Sequence, residues 1–270
     1  MKIGFLITAR LKSKRLELKL LKQLNGFTVI ERVIQRAKEV KNCQNIVLCT
    51  SDLNQDKPLV KIAKENKISF FCGDADDVLK RLLDASEKFK IDYLINVTAD
   101  NPLFSIYHAN FISNFIVKNN EFDFIYTSGM PIGLNISCIK TKALKTVCEI
   151  KEEIDTEIWG YLINQPKIFN IKELIVEKKY QFNKHRMTLD ETDDYRFFCE
   201  LYKSFPKNSV IDILSAYEIL KKKPEIFKIN EMVKQRDLDD EIKARISNFY
   251  KINEGKILKL KKIIYANRDK

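Results

Sequence analysis

The sequence predicts an α/β fold in which a mainly parallel sheet carries helices on both faces and a helical segment follows at the C-terminus. Short apolar runs rich in β-branched residues alternate with amphipathic helical patterns over residues 1–130. Parallel strands are joined by helical crossovers and are buried on both faces, so their sequences are nearly continuous in apolar residues. From residue 211 to residue 254 the pattern is helical and contains no glycine.

The first predicted strand, residues 3–7, leads directly into a basic loop. The cations of this loop are Arg10, Lys12, Lys14, Arg15 and Lys19. A buried strand determines where such charges lie, and the phosphates of a nucleotide would supply their counter-charge. The loop therefore indicates a polyphosphate site, and a solvated basic turn is the alternative.

A helix and a second strand follow the basic loop. Apolar residues recur at helical spacing over residues 30–40, which predicts an amphipathic helix. Residues 46–49 predict a strand that ends in a polar stretch containing Thr50 and Asp52. Pro58 suits the first turn of the next short helix.

Two more strands continue the alternation. Residues 68–72 predict a third strand, which ends at Gly73, and residues 78–89 predict the helix after it. Asp77 stands at the start of that helix, where a carboxylate complements the helix dipole. Residues 93–97 predict the fourth strand.

The polar ends of these strands are expected to meet. Asp100 follows the fourth strand. Beyond it, residues 109–116 predict one more helix and residues 122–126 one more strand. Ligands of parallel sheets bind outside the carboxyl ends of the strands. We therefore expect the basic loop, Thr50, Gly73 and Asp100 to line one edge of the sheet.

Composition limits the classes of protein that the chain can represent. Its 270 residues with 45% hydrophobic content suit one large domain, or one domain with a helical appendage. No run of about 18 apolar residues occurs, and the start MKIGFLITAR is too short in its apolar part for a secretory signal, so we expect a cytoplasmic protein without membrane insertion. The six cysteines lack a C-x-x-C pair, which argues against zinc and disulfides.

The net charge of +11 is compatible with nucleic acid, an anionic membrane or phosphorylated small molecules. No combination of basic and aromatic residues typical of an RNA- or DNA-binding module appears, so nucleic acid is not an expected partner. Lysines and apolar residues alternate over residues 256–270, which predicts a basic amphipathic helix. Such a helix binds an anionic membrane or, as we expect here, packs on its own domain or on a twin subunit.

Five segments resemble one known family. The run ITARLKSKRLELKLL resembles the N-terminal signature of cytidylyltransferases that activate sugars and related compounds for cell-surface polymers. Four later segments are similar to further motifs of that family, in the same order: GDADDVLKRLLDA, VTADNPLFS, GLNISCIKTKAL and MTLDETDDYRFF. The layout is most similar to the spore-coat polysaccharide type, with CMP-Kdo and CMP-sialic acid synthetases as distant relatives. The resemblance covers about residues 3–200.

The resemblance implies a fold and a reaction. It implies a three-layer Rossmann-like nucleotidyltransferase domain at residues 1–205, followed by a helical, lysine-rich extension at residues 206–270. The implied reaction transfers CMP from CTP to an acceptor and releases pyrophosphate. A sugar acid or a phosphorylated acceptor, a surface polysaccharide or glycoconjugate pathway, and a homodimer are carried over with the family.

The resemblance also implies roles for individual residues. Catalytic roles fall to Arg10, Lys19 and Asp100, with Lys19 near the α-phosphate, and Asp100 and Asp190 match metal-binding aspartates that would hold Mg²⁺. The nucleotide-binding candidates are Ala9, Arg10, Ser13, Lys14, Arg15, Lys19, Thr50, Asp52, Gly73 and Asp77. The acceptor-binding candidates are Gly133, Asn135 and Arg186. Without the resemblance, Asp100 is a turn residue and Asp190 the N-cap of the next helix.

The sequence departs from the family pattern at the basic loop. Lys12 replaces a glycine, and Glu17 and Leu18 replace a Pro-Gly pair before Lys19. Glycine permits positive φ and close approach of the backbone to a phosphate. The departures leave open a divergent acceptor, a changed nucleotide or reduced activity, and a non-catalytic nucleotide-binding or scaffold protein is the alternative function. His108 and His185 lack partners at ligand spacing, so we expect structural roles for both.

Overall fold

A seven-stranded sheet organises the computed structural model, which describes residues 1–153, 155–182 and 185–266. Its strands are β1 (Ile3–Thr8), β4 (Asn45–Ser51), β5 (Ser69–Gly73), β6 (Tyr93–Thr98), β7 (Phe124–Ser128), β8 (Ser137–Lys140) and β9 (Ile171–Ile175). The spatial order is β5-β4-β1-β6-β8-β7-β9, and a separate two-stranded ribbon is formed by β2 (Gln23–Leu24) and β3 (Phe27–Thr28).

The sheet is mainly parallel, as predicted. β1 pairs in parallel with β4 and β6, and β4 pairs in parallel with β5. β8 runs antiparallel to β6 and β7, and within the described residues it is the one reversed strand of the seven-stranded sheet. All residues of β1 are buried, because β1 lies in the middle of the sheet with helices above and below it.

Helices cover both faces of the sheet. They are α1 (Val29–Lys38), α2 (Lys57–Glu65), α3 (Val78–Lys88), α4 (Ile106–Lys118), α5 (Thr141–Ile150), α6 (Gly160–Ile163), α7 (Thr192–Lys203), α8 (Ile213–Lys222), α9 (Glu225–Lys228) and α10 (Asp240–Ala266). Phe5 and Ile7 of β1 belong to the core that includes α1, α4 and α7. Leu6 belongs to the core formed with α3, α5 and α10. The alternation of side chains along one strand thus feeds two cores, which gives the three-layer architecture.

The C-terminal helix packs on its own domain. Ile246, Tyr250 and Ile257 of α10 are buried in the same core as α5. Lys261 Nζ lies 2.5 Å from Asp123 Oδ2, and the side chain of Tyr265 also bonds to Asp123. The basic amphipathic helix therefore has an intramolecular partner, as expected, although residues 267–270 of the lysine-rich run lie outside the described ranges.

The segment after residue 205 packs against the sheet, and the cysteines are unpaired. α8 contributes Ala216, Tyr217 and Leu220 to the core of the sheet, and the division of the chain after residue 205 stays a prediction. No helix in the described ranges combines the length and the apolar character needed to cross a bilayer. All six cysteines are free thiols, and burial raises the pKa of Cys49 to about 12.

Candidate active site

The backbone of the basic loop is held against neighbouring elements where β1 ends. Ala9 N–H donates to the carbonyl of Cys49 at 3.0 Å, which extends the pairing of β1 with β4 by one residue. Leu11 N–H donates to Asp56 Oδ1 at 2.7 Å. Asp56 is fully buried and also accepts the hydroxyl of Ser51. Sequence reasoning missed this buried carboxylate, because nothing local distinguishes it from other aspartates before a helix.

Two cations of the loop converge on one carboxylate oxygen. Arg10 Nη1 lies 3.1 Å and Lys12 Nζ lies 2.7 Å from Oδ1 of Asp76, which belongs to the turn after β5. The hydrogen bond from Lys12 and the nearby charges hold the pKa of Asp76 below its ordinary value. About half of each side chain of the Lys12 and Asp76 pair is exposed, so the oxygen occupies an accessible anion position between two cations.

Lys19 lies between the two aspartates that the resemblance assigned to a metal. Its Nζ is 2.7 Å from Asp100 Oδ2 and 2.7 Å from Asp190 Oδ1. Burial acts to lower the pKa of Lys19, but the two carboxylates outweigh burial and raise that pKa above 10.5. Burial would raise the pKa of Asp190. The ammonium of Lys19 and the guanidinium of Arg15 outweigh burial, so the pKa of Asp190 is lowered. Arg15 Nη2 lies 3.3 Å from Asp190 Oδ1.

The backbone before Lys19 retains a conformation that glycine favours. Leu18 has a φ of 49° and a ψ of 31°, in the left-handed region. A residue with a Cβ pays roughly 1 to 2 kcal/mol there. Lys19 then begins a short 3-10 helix, Lys19–Leu21. Lys12 is not among the described residues with positive φ, so its replacement of a glycine involves no such strain.

Two loops bring Asp190 to the end of β6. Leu189 N–H donates to the carbonyl of Asp100 at 2.8 Å, and Met187 N–H donates to the carbonyl of Ile132 at 2.8 Å. Gly133 has a φ of 95°, and a Cβ at this residue would lie 2.0 Å from the carbonyl oxygen of Met187. Gly133 therefore permits the close approach of the segment that carries Asp190.

A buried arginine holds the second aspartate. Arg186 Nη2 lies 2.5 Å from Asp190 Oδ2, and its Nε lies 3.0 Å from Asp194 Oδ1. Arg186 is 7% exposed, and its guanidinium contacts two carboxylates in the protein, so a contact with an acceptor stays a prediction. Glu191, with Asp194, forms the capping box of α7. The alternative that Asp190 is the N-cap is therefore wrong.

The remaining candidates lie around this edge in different settings. Ser13 Oγ accepts from Leu16 N–H at 3.3 Å, and the side chain of Lys14 is exposed to solvent. Thr50 is fully buried, and its hydroxyl has no partner within the described part of the chain. Asp52 is exposed, and Gly73 is the last residue of β5.

Asp77, Asn135 and the histidines contribute mainly to the framework. Asp77 caps α3 by accepting from Lys80 N–H at 3.0 Å and pairs with Lys151, so its contact with a nucleotide stays a prediction. Asn135 Nδ2 donates to the carbonyl of Met130 at 3.1 Å, within the loop before β8. His108 and His185 pack against aromatic rings, and burial lowers the pKa of each to about 4, which agrees with structural roles.

The convergent carboxylates fit a divalent cation that takes most of its ligands from substrate. Asp100 and Asp190 present oxygens to a common point, which Lys19 Nζ marks, and both carboxylates are partly exposed. The described residues contain no cluster of three or more His, Cys, Asp or Glu side chains at metal-binding geometry. Magnesium typically uses one or two protein carboxylates and completes its shell with phosphate and water, so two carboxylates suffice.

Transfer of a nucleotidyl group requires neutralisation of triphosphate charge on both the attacking and the departing side. The sheet edge offers cations on the β1 loop and paired carboxylates beyond β6, so fold and site define a nucleotidyltransferase. A sequence model of the family described as Cytidylyltransferase matches residues 5–243. The chain belongs to the cytidylyltransferase family and is a CTP-dependent nucleotidyltransferase.

Two relatives are similar to this chain over most of their own length. The chain is 31% identical over 238 residues to the uncharacterized protein MJ1063 of Methanocaldococcus jannaschii, covering 87% of this chain and 97% of that protein. It is 22% identical over 236 residues to the spore coat polysaccharide biosynthesis protein SpsF of Bacillus subtilis, covering 83% and 95%. The family match and the similarity to SpsF confirm the resemblance that the sequence motifs indicated.

Solved structures agree on the fold. A cytidylyltransferase from Leptospira borgpetersenii superposes with a TM-score of 0.78 at 26% identity, over 88% of this chain and all of that one. A CTP complex of CMP:2-keto-3-deoxy-manno-octonic acid synthetase shares the fold with a TM-score of 0.58 at 15% identity, over 76% and 99% of the two chains. The predicted three-layer nucleotidyltransferase architecture is confirmed.

Proposed function

We propose that the protein transfers CMP from CTP to a sugar acid or a phosphorylated acceptor, for the synthesis of a surface polysaccharide or glycoconjugate. The observation that carries the proposal is the position of Lys19, 2.7 Å from both Asp100 and Asp190 and on the same loop as Arg10. The similarity to the spore coat protein SpsF supports a role in polysaccharide synthesis.

The proposed chemistry is a displacement at the α-phosphorus of CTP. An acceptor oxygen forms a new bond to this phosphorus, the bond between the α-phosphorus and the bridging oxygen breaks, and pyrophosphate leaves with that oxygen. Where the acceptor oxygen belongs to a hydroxyl group, its proton passes to solvent water. Positioning and electrostatic stabilisation contribute most of the catalysis in such reactions. Arg10, Lys14 and Arg15 would bind the triphosphate, and Lys19 would stabilise the charge that develops around the α-phosphate.

Asp100 and Asp190 would hold the magnesium ion. When bound, the ion neutralises charge on phosphate oxygens and orients them. In this structure both carboxylates contact Lys19. If they held the ion instead, the ammonium of Lys19 would be free to turn towards the α-phosphate. This exchange of partners would link nucleotide binding to assembly of the site. A homodimer and a cytoplasmic location are further predictions carried over from the family.

The proposal is tested by incubating the protein with each nucleoside triphosphate, Mg²⁺ and a panel of sugar acids and phosphorylated acceptors. We expect pyrophosphate release with CTP and a product heavier than its acceptor by one cytidylyl group. If CTP binds but no nucleotide and acceptor give pyrophosphate release, the non-catalytic nucleotide-binding alternative is favoured. Strong, salt-dependent binding to random oligonucleotides would instead favour a nucleic-acid-binding protein.

A further inference from the structure

A buried asparagine of the C-terminal segment reaches the network behind the site. Asn230 follows α9 and is 1% exposed. Its Nδ2 donates to the carbonyl of Arg186 at 3.1 Å and to Oδ1 of Asp194 at 3.0 Å. One side chain therefore joins the segment after α9 to Arg186 and Asp194, two of the residues that contact Asp190.

Asp194 is the centre of this network. It is fully buried, and Arg186 Nε contacts its two oxygens at 3.0 and 3.1 Å. Oδ2 also accepts from the backbone N–H groups of Asp190, at 3.0 Å, and Glu191, at 2.9 Å. Asn230 adds the remaining donor, so the carboxylate is surrounded by hydrogen-bond donors and cannot reorient without losing several of them.

The network determines where the carboxylate of Asp190 lies. The backbone of Asp190 is bound to Asp194, and its Oδ2 is bound to Arg186 at 2.5 Å. Oδ1, the oxygen on the other side, remains directed towards Lys19. Asn230 contacts both Arg186 and Asp194, but it does not contact Asp190 itself within the described hydrogen bonds. It acts on Asp190 only through these two residues.

We propose that Asn230 is a positioning residue, which fixes Arg186 and Asp194 so that Asp190 faces Asp100 in the geometry that a divalent cation requires. The C-terminal segment would thereby set the affinity of the site for metal. The inference rests on the proposed metal role of Asp100 and Asp190. Residues that orient metal ligands from behind typically change metal affinity by about 10- to 100-fold when they are replaced.

The test compares variants at this residue in the full chain. Asn230→Ala removes both hydrogen bonds, and Asn230→Asp keeps the shape but places a second carboxylate beside Asp194. Asn253→Ala is the matched control, because Asn253 Nδ2 donates to the carbonyl of Phe249 at 3.0 Å within α10. Gln235→Ala is a milder probe, because this exposed side chain accepts a hydrogen bond from Arg186 Nη1.

The primary measurement is the dissociation constant of Mn²⁺ in the presence of CTP, from calorimetry or electron paramagnetic resonance. We expect about 10-fold weaker binding for Asn230→Ala, a larger loss for Asn230→Asp, a smaller loss for Gln235→Ala and no change for Asn253→Ala. The Mg²⁺ concentration for half-maximal pyrophosphate release should rise in the same order. Thermal unfolding without metal identifies any variant that fails to fold.

The outcomes separate this inference from the proposed function. Wild-type metal affinity in both folded Asn230 variants, or in Gln235→Ala if neither folds, overturns the positioning role. A wild-type protein that binds Mn²⁺ with CTP but releases no pyrophosphate contradicts the proposed reaction and leaves the positioning role to be decided by the affinities. A wild-type protein that binds no metal overturns both.

Discussion

The two sides of the active site hold their charges in different ways. On the nucleotide side, the pair of Lys12 and Asp76 is about half exposed. On the metal side, Lys19, Asp190 and Arg186 are largely buried and share their partners. An exposed ion pair contributes little because solvent screens it, whereas removing one partner of a buried pair costs about 3 to 5 kcal/mol. The first side can thus exchange a carboxylate for phosphate, whereas on the second side buried ion pairs with Lys19 and Arg186 hold Asp190 in place.

The largest effect on activity is expected from a substitution of Asp100 on the metal side. Asp100→Asn should lower kcat for pyrophosphate release by about 10³-fold, because one of the two carboxylates proposed to hold the metal ion loses its charge. The matched control is Asp92→Asn, since Asp92 precedes the same strand at its opposite end and accepts Lys2 N–H at 2.6 Å. Circular dichroism should show both variants folded. Full activity of folded Asp100→Asn would contradict the metal assignment.

The second largest effect is expected from a substitution of Gly133, which permits the close backbone approach on the metal side. Gly133→Ala would place a Cβ 2.0 Å from the carbonyl oxygen of Met187 at a φ of 95°, so we expect a loss of about 3 kcal/mol in unfolding free energy. Urea denaturation measures this loss. Gly255→Ala is the control, because its Cβ meets nothing within 4 Å and alanine favours a helix interior by about 1 kcal/mol. Equal effects of the two substitutions would show that the close approach at Gly133 is not needed.

The dependence of stability on pH should distinguish the buried pairs. The pKa of Asp190 is lowered from 3.8, so its ionised form stabilises the fold above that value, and the contribution is lost as pH falls through the lowered pKa. The pKa of Lys19 is raised above 10.5, so its contribution is lost only at higher pH. The difference in unfolding free energy between wild type and Asp190→Asn should therefore be constant from about pH 5 to 9 and shrink in acid. A difference that changes across neutral pH would contradict the prediction.

The smallest effects are expected on the exposed side. Lys12→Gly removes a cation from the loop and should raise the KM for CTP about threefold, with little change in stability because the ion pair it breaks is screened by solvent. Asp76→Asn removes the carboxylate that competes with phosphate for Arg10 and Lys12, so it should lower the KM. Steady-state assays at two salt concentrations measure both. Changes of the same sign would show that Asp76 does not compete with the nucleotide.

Prediction from sequence succeeded where the signal was local. The apolar runs and helical spacings identified β1, β4, β5 and β6 together with α1, α2 and α3, although β4 continues through Thr50 and Ser51. β9 was missed because it is an edge strand, where Lys172 and Glu173 interrupt the apolar pattern that marks a buried strand. The residue types identified the basic loop as a candidate site, and the family resemblance identified Asp100 and Asp190 as metal-binding candidates.

The sequence by itself therefore determined the fold class, the cation-rich loop after β1 and the family. Only the tertiary structure decided which charges meet, because ion pairs join residues that are far apart in the chain: Lys19 contacts Asp100 and Asp190. It also decided that Asp56, Asp194 and Asn230 support the site from behind. The role of such buried polar residues depends on their partners across the fold, and no local pattern records those partners.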